Sequence, residues 1–125
     1  MDNTAIISVG SNINPLENIA RAIELLPPKV RLLKSSSLLV TEPIGITDQP
    51  AFHNGALLVV TQLNRIELVT YLKRIEDAVG RDRTRAKFGP REIDLDVLEW
   101  NGEIVDLDYF ERDFLVKLVD ELKNR

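Results

Sequence analysis

Residues 80–96 place a run of basic side chains directly before two aspartates. Asp94 and Asp96 lie two residues apart within an apolar run, so on a strand both carboxylates would point to the same face. Carboxylates suit Mg²⁺, which usually binds together with substrate phosphates, and arginines are bidentate partners for phosphate oxygens. The segment therefore predicts phosphoryl-type transfer from a nucleotide. The basic side chains that precede the aspartates are Arg81, Arg83, Arg85, Lys87 and Arg91.

The distribution of charge agrees with a small anionic ligand. The chain has 16 basic and 20 acidic residues and a net charge of −4. Residues 81–91 hold five basic side chains and one acidic side chain, so this segment carries +4 and the remainder −8. A nucleic-acid-binding domain is more often basic as a whole, so this pattern disfavours nucleic acid as a partner.

Each half of this pattern also has an ordinary structural interpretation. Two aspartates at this spacing on a strand are often only structural, and an arginine-rich loop is often a solvated surface. The combination is more specific, because a metal ion needs anions from the protein whereas a polyphosphate needs cations.

Composition limits the remaining possibilities. With 125 residues and 44% hydrophobic content, we expect a single folded domain over residues 1–125. The absence of cysteine excludes disulfides, thiolate metal sites and a cysteine nucleophile. We find neither a membrane-length apolar run nor a secretion signal, so the expected location is cytoplasmic with no membrane partner.

The periodicity of apolar residues predicts alternating strands and helices. The first helix should begin with a capping box of Asn14 and Glu17, and the second with Asn64, ending at Gly80. The predicted apolar stripes are Leu16, Ile19, Ala20, Ile23 and Leu26 on the first helix, and Ile66, Val69, Leu72, Ile75 and Val79 on the second. Strands are predicted at 5–9, 30–40, 52–61 and 92–100, with an Asn101-Gly102 hairpin turn and a helical segment from Tyr109. This order predicts an α+β fold, a ferredoxin-like α/β/α layer sandwich with a mainly antiparallel central sheet.

Six segments together carry a resemblance to a known family. They are residues 9–12, 41–45, 48–54, 75–76, 80–83 and 89–96, the last reading G-P-R-E-I-D-L-D. In this order the chain resembles the 6-hydroxymethyl-7,8-dihydropterin pyrophosphokinases of the folate pathway over nearly its whole length. The resemblance implies diphosphate transfer from ATP to the hydroxymethyl group of the pterin, with release of AMP.

The resemblance also implies roles for individual residues on the nucleotide side. Asp94 and Asp96 match the ligands of two Mg²⁺ ions, and Arg81 and Arg91 match arginines that act on the phosphates. Further nucleotide contacts are expected from Lys73, Glu76, Arg83 and Arg112. Family members often have glutamine in place of Lys73 and tryptophan in place of Phe88.

The pterin side is matched by a second group of residues. Asn54 is expected to pair with the pyrimidine edge of the pterin, and Phe52 and Phe114 to stack on its two faces. Backbone groups of Thr41, Pro43, Ile44 and Gly45 complete the expected hydrogen bonds. Without the resemblance, both phenylalanines would be read as core residues.

One departure concerns the segment before Phe114. Only Asp106 to Glu111 occupies a stretch that is usually longer in the family and commonly includes a Pro-His pair facing the nucleotide. A catalytically weakened homologue that only binds pterin is therefore an alternative, and a ferredoxin-like RNA-binding module is a more distant one. The sequence does not indicate the oligomeric state.

Overall fold

The computed structural model describes residues 2–123, which form one central sheet with helices on both faces. The strands are β1 (Asn3–Ser11), β2 (Val30–Ser35), β3 (Leu39–Thr41), β4 (Phe52–Thr61), β5 (Asp94–Trp100) and β6 (Glu103–Ile104). The helices are α1 (Pro15–Glu24), α2 (Arg65–Val79), α3 (Asp108–Glu111) and α4 (Asp113–Lys123).

The sheet has the order β2-β4-β1-β5-β6, and every strand pair in it is antiparallel. The short strand β3 continues along β4 beyond the end of β2. A strand–helix–strand order with β1 and β4 in the centre is the ferredoxin-like arrangement. The predicted α+β fold with a mainly antiparallel sheet is therefore confirmed.

Alternation along the central strands divides the apolar residues between two cores. Ala5, Ile7 and Val9 of β1 face α1 and α2, whereas Ile6 faces α4 together with Leu98 of β5. This follows from the two-residue period of a strand, which sends successive side chains to opposite faces. The face that carries α4 matters for function, because α4 covers only part of it.

Helix α1 begins at Pro15 as predicted, but its capping and part of its buried face differ from the prediction. Asn14 adopts a left-handed conformation with φ of 41°, and its side chain makes no capping hydrogen bond, so the predicted capping box with Glu17 is wrong. Leu16 is 64% exposed, and Ala20 is exposed as well. Ile19 of the predicted stripe is buried, together with Ala22, which the predicted stripe did not include, so the buried face is rotated away from Leu16 and Ala20.

The predicted limits of α2 are confirmed, but part of its apolar stripe is wrong. Asn64 and Glu67 form a capping box, and Gly80 ends the helix with φ of 112°, where glycine avoids the strain of a side chain. Ile66 is 78% exposed, and Val69 is also exposed. Leu68, Leu72, Ile75 and Glu76 form the buried face.

The remaining strands and helices agree with the prediction from the sequence, except that one predicted strand is interrupted. The predicted strand over residues 30–40 is divided into β2 and β3 by residues 36–38. Asn101 and Gly102 both have positive φ, as expected for the tight turn between β5 and β6. Within residues 2–123, no helix combines the length and the apolar character needed to cross a membrane.

Candidate active site

A cleft of about 350 Å³ opens on the sheet face that carries α4, where the first turn of α4 begins. Its floor is formed by β1, β4 and β5. Gly10 of β1 lies between Asn54 of β4 and Asp94 of β5, and Ser8 lies beside Asp96. The strand register thus brings residues 40 positions apart in the sequence to one surface. Segments around residues 41–44, 87–91 and 106–115 form the walls.

Asp94 is held between two arginines at the floor of this cleft. Nη1 of Arg81 lies 3.1 Å from its Oδ1, and Nη1 of Arg91 lies 3.2 Å from its Oδ2. Arg91 also donates to the backbone oxygen of Lys87. Both carboxylate oxygens of Asp94 therefore have cationic partners, and both arginines are positioned beside the place where an anion would enter.

Glu76 anchors this arrangement from below. Its side chain is 1% exposed, and its Oε1 accepts from Arg81 at 3.0 Å and from Arg83 at 2.9 Å. Its Oε2 accepts from the backbone N–H of Leu95 in β5 at 2.7 Å. The sequence predicted a direct nucleotide contact for Glu76, but burial and protein partners on both oxygens place it behind the cleft wall. It ties α2 to β5 and orients the arginines.

Asp96 lies in the most acidic part of the cleft. The side chain of Asp96 is exposed to the cleft, yet the protein atoms around its carboxylate reduce the hydration of the charged form, and this raises the pKa of Asp96 to about 7. The negative charges of Asp94, Asp106 and Glu76 raise the pKa further, whereas Lys73 opposes them. Repulsion among these carboxylates would be relieved by a bound cation.

The carboxylates of Asp94 and Asp96 fit a cation whose other ligands are not protein side chains. Asp94 and Asp96 project from alternate positions of β5, separated by a rise of about 6.6 Å along the strand. Within residues 2–123, no cluster of three or more carboxylate or histidine side chains is arranged to hold a metal ion. A hard cation bound here would complete its coordination with water and phosphate oxygens, as Mg²⁺ commonly does.

Asn54 occupies the other end of the floor. Its Nδ2 donates to Oγ1 of Thr41 at 2.6 Å. Its Oδ1 lies over Gly10, where a Cβ would come within 2.8 Å of that oxygen. The absence of a side chain at Gly10 therefore leaves room for the Asn54 amide between β1 and the cleft.

The predicted aromatic residues also meet at this end. Phe52, Phe114 and Ile44 line the cleft, and Phe114 packs in addition against the core beneath α4. Pro43 is buried, and Gly45 lies against Phe88, so neither residue lines the cleft. The expected hydrogen bonds from backbone groups of residues 41–45 stay a prediction.

The cleft brings together only some of the residues that were predicted to contact the nucleotide. Lys73 and Arg112 line the cleft, with Arg112 Nη2 lying 3.5 Å from Asp108 Oδ2. Arg83 does not line it, because its guanidinium binds Glu76 and lies 3.0 Å from Asp77 Oδ1. Arg83 therefore lies beside the cleft and holds Glu76, and its contact with the nucleotide stays a prediction.

Some residues that organise the cleft were assigned no role from the sequence. Gly10, Asn12 and Gln49 all lie within the segments that carry the family resemblance, and this was the available signal. Their roles depend on which groups lie opposite them across the sheet and the loops. A single sequence does not give that information.

The arrangement agrees with comparisons to known proteins. The family model described as 7,8-dihydro-6-hydroxymethylpterin-pyrophosphokinase (HPPK) matches residues 6–124. A 2-amino-4-hydroxy-6-hydroxymethyldihydropteridine pyrophosphokinase from Bacillus subtilis is 40% identical over 109 residues, covering 85% of this chain and 65% of the relative. A folate synthesis bifunctional protein from Arabidopsis thaliana is 40% identical over 95 residues, covering 74% of this chain and 20% of the relative.

A solved structure shares the fold. The crystal structure of Plasmodium falciparum HPPK-DHPS matches with a TM-score of 0.57 and 14% identity, covering 94% of this chain and 32% of that one. The chain thus spans 65% of the Bacillus subtilis relative and smaller shares of the longer proteins. The family match over residues 6–124 includes every residue that lines the cleft. The chain belongs to the 7,8-dihydro-6-hydroxymethylpterin-pyrophosphokinase family.

Proposed function

We propose that this chain transfers diphosphate from ATP to the hydroxymethyl group of 6-hydroxymethyl-7,8-dihydropterin and releases AMP. The observation that carries the proposal is the continuity of the cleft floor. One surface holds the Asp94 and Asp96 carboxylates beside Arg81 and Arg91, and the Asn54 amide lies at its other end. Such a floor can bind a polyphosphate and a polar aromatic ring side by side.

The pterin is assigned to the Asn54 end of the cleft. The amide of Asn54 offers both a donor and an acceptor to the pyrimidine edge, once it releases Thr41. Phe52 and Phe114 provide apolar surface for the ring. Backbone groups of residues 41–45 lie close enough to this end to add further hydrogen bonds, although only part of that segment lines the cleft.

The nucleotide is assigned to the end that contains the arginines. Arg81 and Arg91 would exchange their bonds to Asp94 for bonds to phosphate oxygens, and Lys73 and Arg112 also line the cleft. Asp94, thereby released, and Asp96 would hold two Mg²⁺ ions. When bound, these ions supply Lewis-acid stabilisation of the phosphate charge.

The residues of this chain act mainly through position and charge. The hydroxymethyl oxygen attacks the β-phosphorus, the bond to the α-phosphate oxygen breaks, and AMP leaves. Arg81 and Arg91 neutralise the charge that develops on the phosphate oxygens. No strong general base is required, because phosphoryl transfer depends chiefly on alignment and electrostatics. The proton of the hydroxymethyl group passes to solvent.

Identification of the product provides the direct test. With ATP, Mg²⁺ and 6-hydroxymethyl-7,8-dihydropterin, we expect AMP to form in equal amount to pterin diphosphate. Chromatography of the nucleotides distinguishes AMP from ADP. Stoichiometric ADP would contradict diphosphate transfer, and absence of pterin consumption would contradict the choice of acceptor.

Gly10→Ala should weaken pterin binding at least tenfold while affecting nucleotide binding much less. The added Cβ would approach Asn54 Oδ1 to 2.8 Å, so the amide must leave its place on the floor. Calorimetric titration with the pterin measures the change, with a thermal melt as a control for folding. Asn54→Ala should weaken binding similarly, and the double variant should lose little more, because both changes remove one contact. Additive losses would show that Gly10 acts independently of Asn54.

The alternative of a homologue that only binds pterin receives no support from the cleft. The shortened segment of residues 106–111 contributes Asp106 and Asp108 to its wall. Asp94, Asp96 and both phosphate-directed arginines nevertheless remain together on the floor. The parts needed for phosphate transfer are therefore present.

A further inference from the structure

Two loops meet over the cleft, and we define them by their residues. The pterin-side loop comprises residues 42–51, and the arginine loop comprises residues 81–93. The side chain of Gln49 joins them directly, because its Nε2 donates to Ile46 O at 2.6 Å and to Phe88 O at 2.7 Å. One amide group therefore fixes the backbone of both loops.

Asn12 extends this connection to the sheet. It follows β1 directly and is 5% exposed. Its Nδ2 donates to Gln49 Oε1 at 2.8 Å and to Pro50 O at 3.0 Å, while its Oδ1 accepts from Arg91 N at 2.8 Å. The backbone N–H of Asn12 also donates to Arg91 O at 3.1 Å. The two amides thus form a chain from the rigid sheet to the backbone of Arg91 and Phe88.

A steric contact supports the same junction. Gly45 has φ of 84°, and a Cβ at this position would lie 2.9 Å from both Cβ and Cγ of Phe88. The pterin-side loop therefore packs closely on the aromatic residue of the arginine loop. A displacement of either loop must break the Gln49 bonds or separate this contact.

We propose that Gln49 is a positioning residue that couples the two ends of the cleft, an inference that rests on the proposed function. Pterin bound between Asn54 and residues 41–45 orders the pterin-side loop. Through Gln49, this order passes to Phe88 and to the segment that presents Arg91 to the phosphates. Each substrate thereby increases the affinity for the other, although Gln49 itself need touch neither.

Binding measurements test the coupling. The probes are 6-hydroxymethyl-7,8-dihydropterin and α,β-methylene ATP with Mg²⁺, each titrated calorimetrically into the full chain with and without saturating partner. In the parent we expect each probe to tighten the binding of the other. Gln49→Ala should reduce this cooperativity at least fivefold while changing the affinity for either probe alone less than twofold. Unchanged cooperativity would overturn the proposal.

Two further variants separate the connection from a general effect on folding. Gln49→Glu keeps an acceptor for Asn12 but loses the donors to Ile46 and Phe88, so it should lose cooperativity as Gln49→Ala does. Gln62→Ala changes the other glutamine, which lies at the opposite end of the β4 region, and should retain full cooperativity. Full cooperativity in Gln49→Glu would show that the bond to Phe88 carries no coupling.

Hydrogen exchange tests the connection without any substrate. In the ligand-free protein, Gln49→Ala should speed amide exchange in residues 84–91 at least fivefold, whereas Gln62→Ala should not. Unchanged exchange there would overturn the connection even if the enzyme transfers diphosphate as proposed. The parent chain could also bind neither probe while Gln49→Ala still speeds exchange in residues 84–91. That result would contradict the proposed function and leave the connection between the loops supported.

Discussion

We expect Asp96→Asn to lower kcat at least a thousandfold and, at the same time, to stabilise the metal-free protein. The first effect follows from the proposed role of Asp96, because the variant would lose a negatively charged ligand of the metal beside the phosphates. About 4 kcal/mol of lost transition-state stabilisation corresponds to a thousandfold in rate. The second effect follows from desolvation of the Asp96 carboxylate and, in addition, from the neighbouring carboxylates, which together raise the pKa of Asp96 to about 7. Removing one of these charges relieves repulsion in the absence of metal.

The stabilisation should depend on pH in a defined direction. A carboxyl whose folded-state pKa lies above its unfolded-state pKa destabilises the fold as pH rises from about 4 to about 7. The neutral amide of Asp96→Asn escapes this cost. The melting temperature of the variant should therefore approach that of the parent near pH 4 and exceed it by a few degrees above pH 7. Thermal melts in the presence of a chelator measure this difference.

Asp94→Asn provides the matched comparison. Turnover should fall to a similar extent, but stability should fall as well, because Asp94 pairs with Arg81 and Arg91. The side chain is 30% exposed, so we expect a cost of about 1–2 kcal/mol, between that of an exposed and that of a buried ion pair. Near-normal turnover in both variants would show that the two aspartates are structural. A lower melting temperature for Asp96→Asn at pH 8 would contradict its assigned electrostatic environment.

The sequence predicted the fold well because its signals were local. The strand over residues 52–61 and the helix from Asn64 to Gly80 depend on periodicity, a capping box and a terminal glycine. These act within a few residues of the chain. The errors occurred where tertiary packing decides the outcome. Ile66 and Val69 fit a helical stripe, yet the sheet lies against the neighbouring face that contains Leu68.

The sequence predicted individual residues of the candidate site but not the contacts between them. The spacing of Asp94 and Asp96 indicated a shared face, and the structure places both on the cleft floor. Glu76 and Arg83 were assigned to the nucleotide from the resemblance, and the sequence alone does not reveal that Glu76 is buried and paired with Arg83. The contact between Arg83 and Glu76 is set by how α2 packs on β5. Similarly, the bond from Gln49 to Phe88 joins residues 39 positions apart, which no local pattern encodes.

Arg81 and Arg83 allow a direct comparison of two arginines that share one carboxylate. Both donate to Glu76 Oε1, but only Arg81 also reaches Asp94 on the cleft floor. We therefore expect Arg81→Ala to lower kcat about 100–1,000-fold, the typical cost of removing one preorganised donor to developing charge. Arg83→Ala should lower kcat less than tenfold, because its guanidinium binds Asp77 and Glu76 outside the lining.

Steady-state kinetics with both substrates varied, together with thermal melts, decide this comparison. A structural role alone would make the two variants similar, because each leaves Glu76 with one arginine instead of two. Arg81→Lys refines the test, since lysine keeps the positive charge but lacks the guanidinium group, whose Nη1 bonds both Glu76 and Asp94 in the parent. It should restore part of the stability but only a small part of kcat. Equal kcat for Arg81→Ala and Arg83→Ala would contradict the role of Arg81 in phosphate transfer and would assign both residues to the support of Glu76.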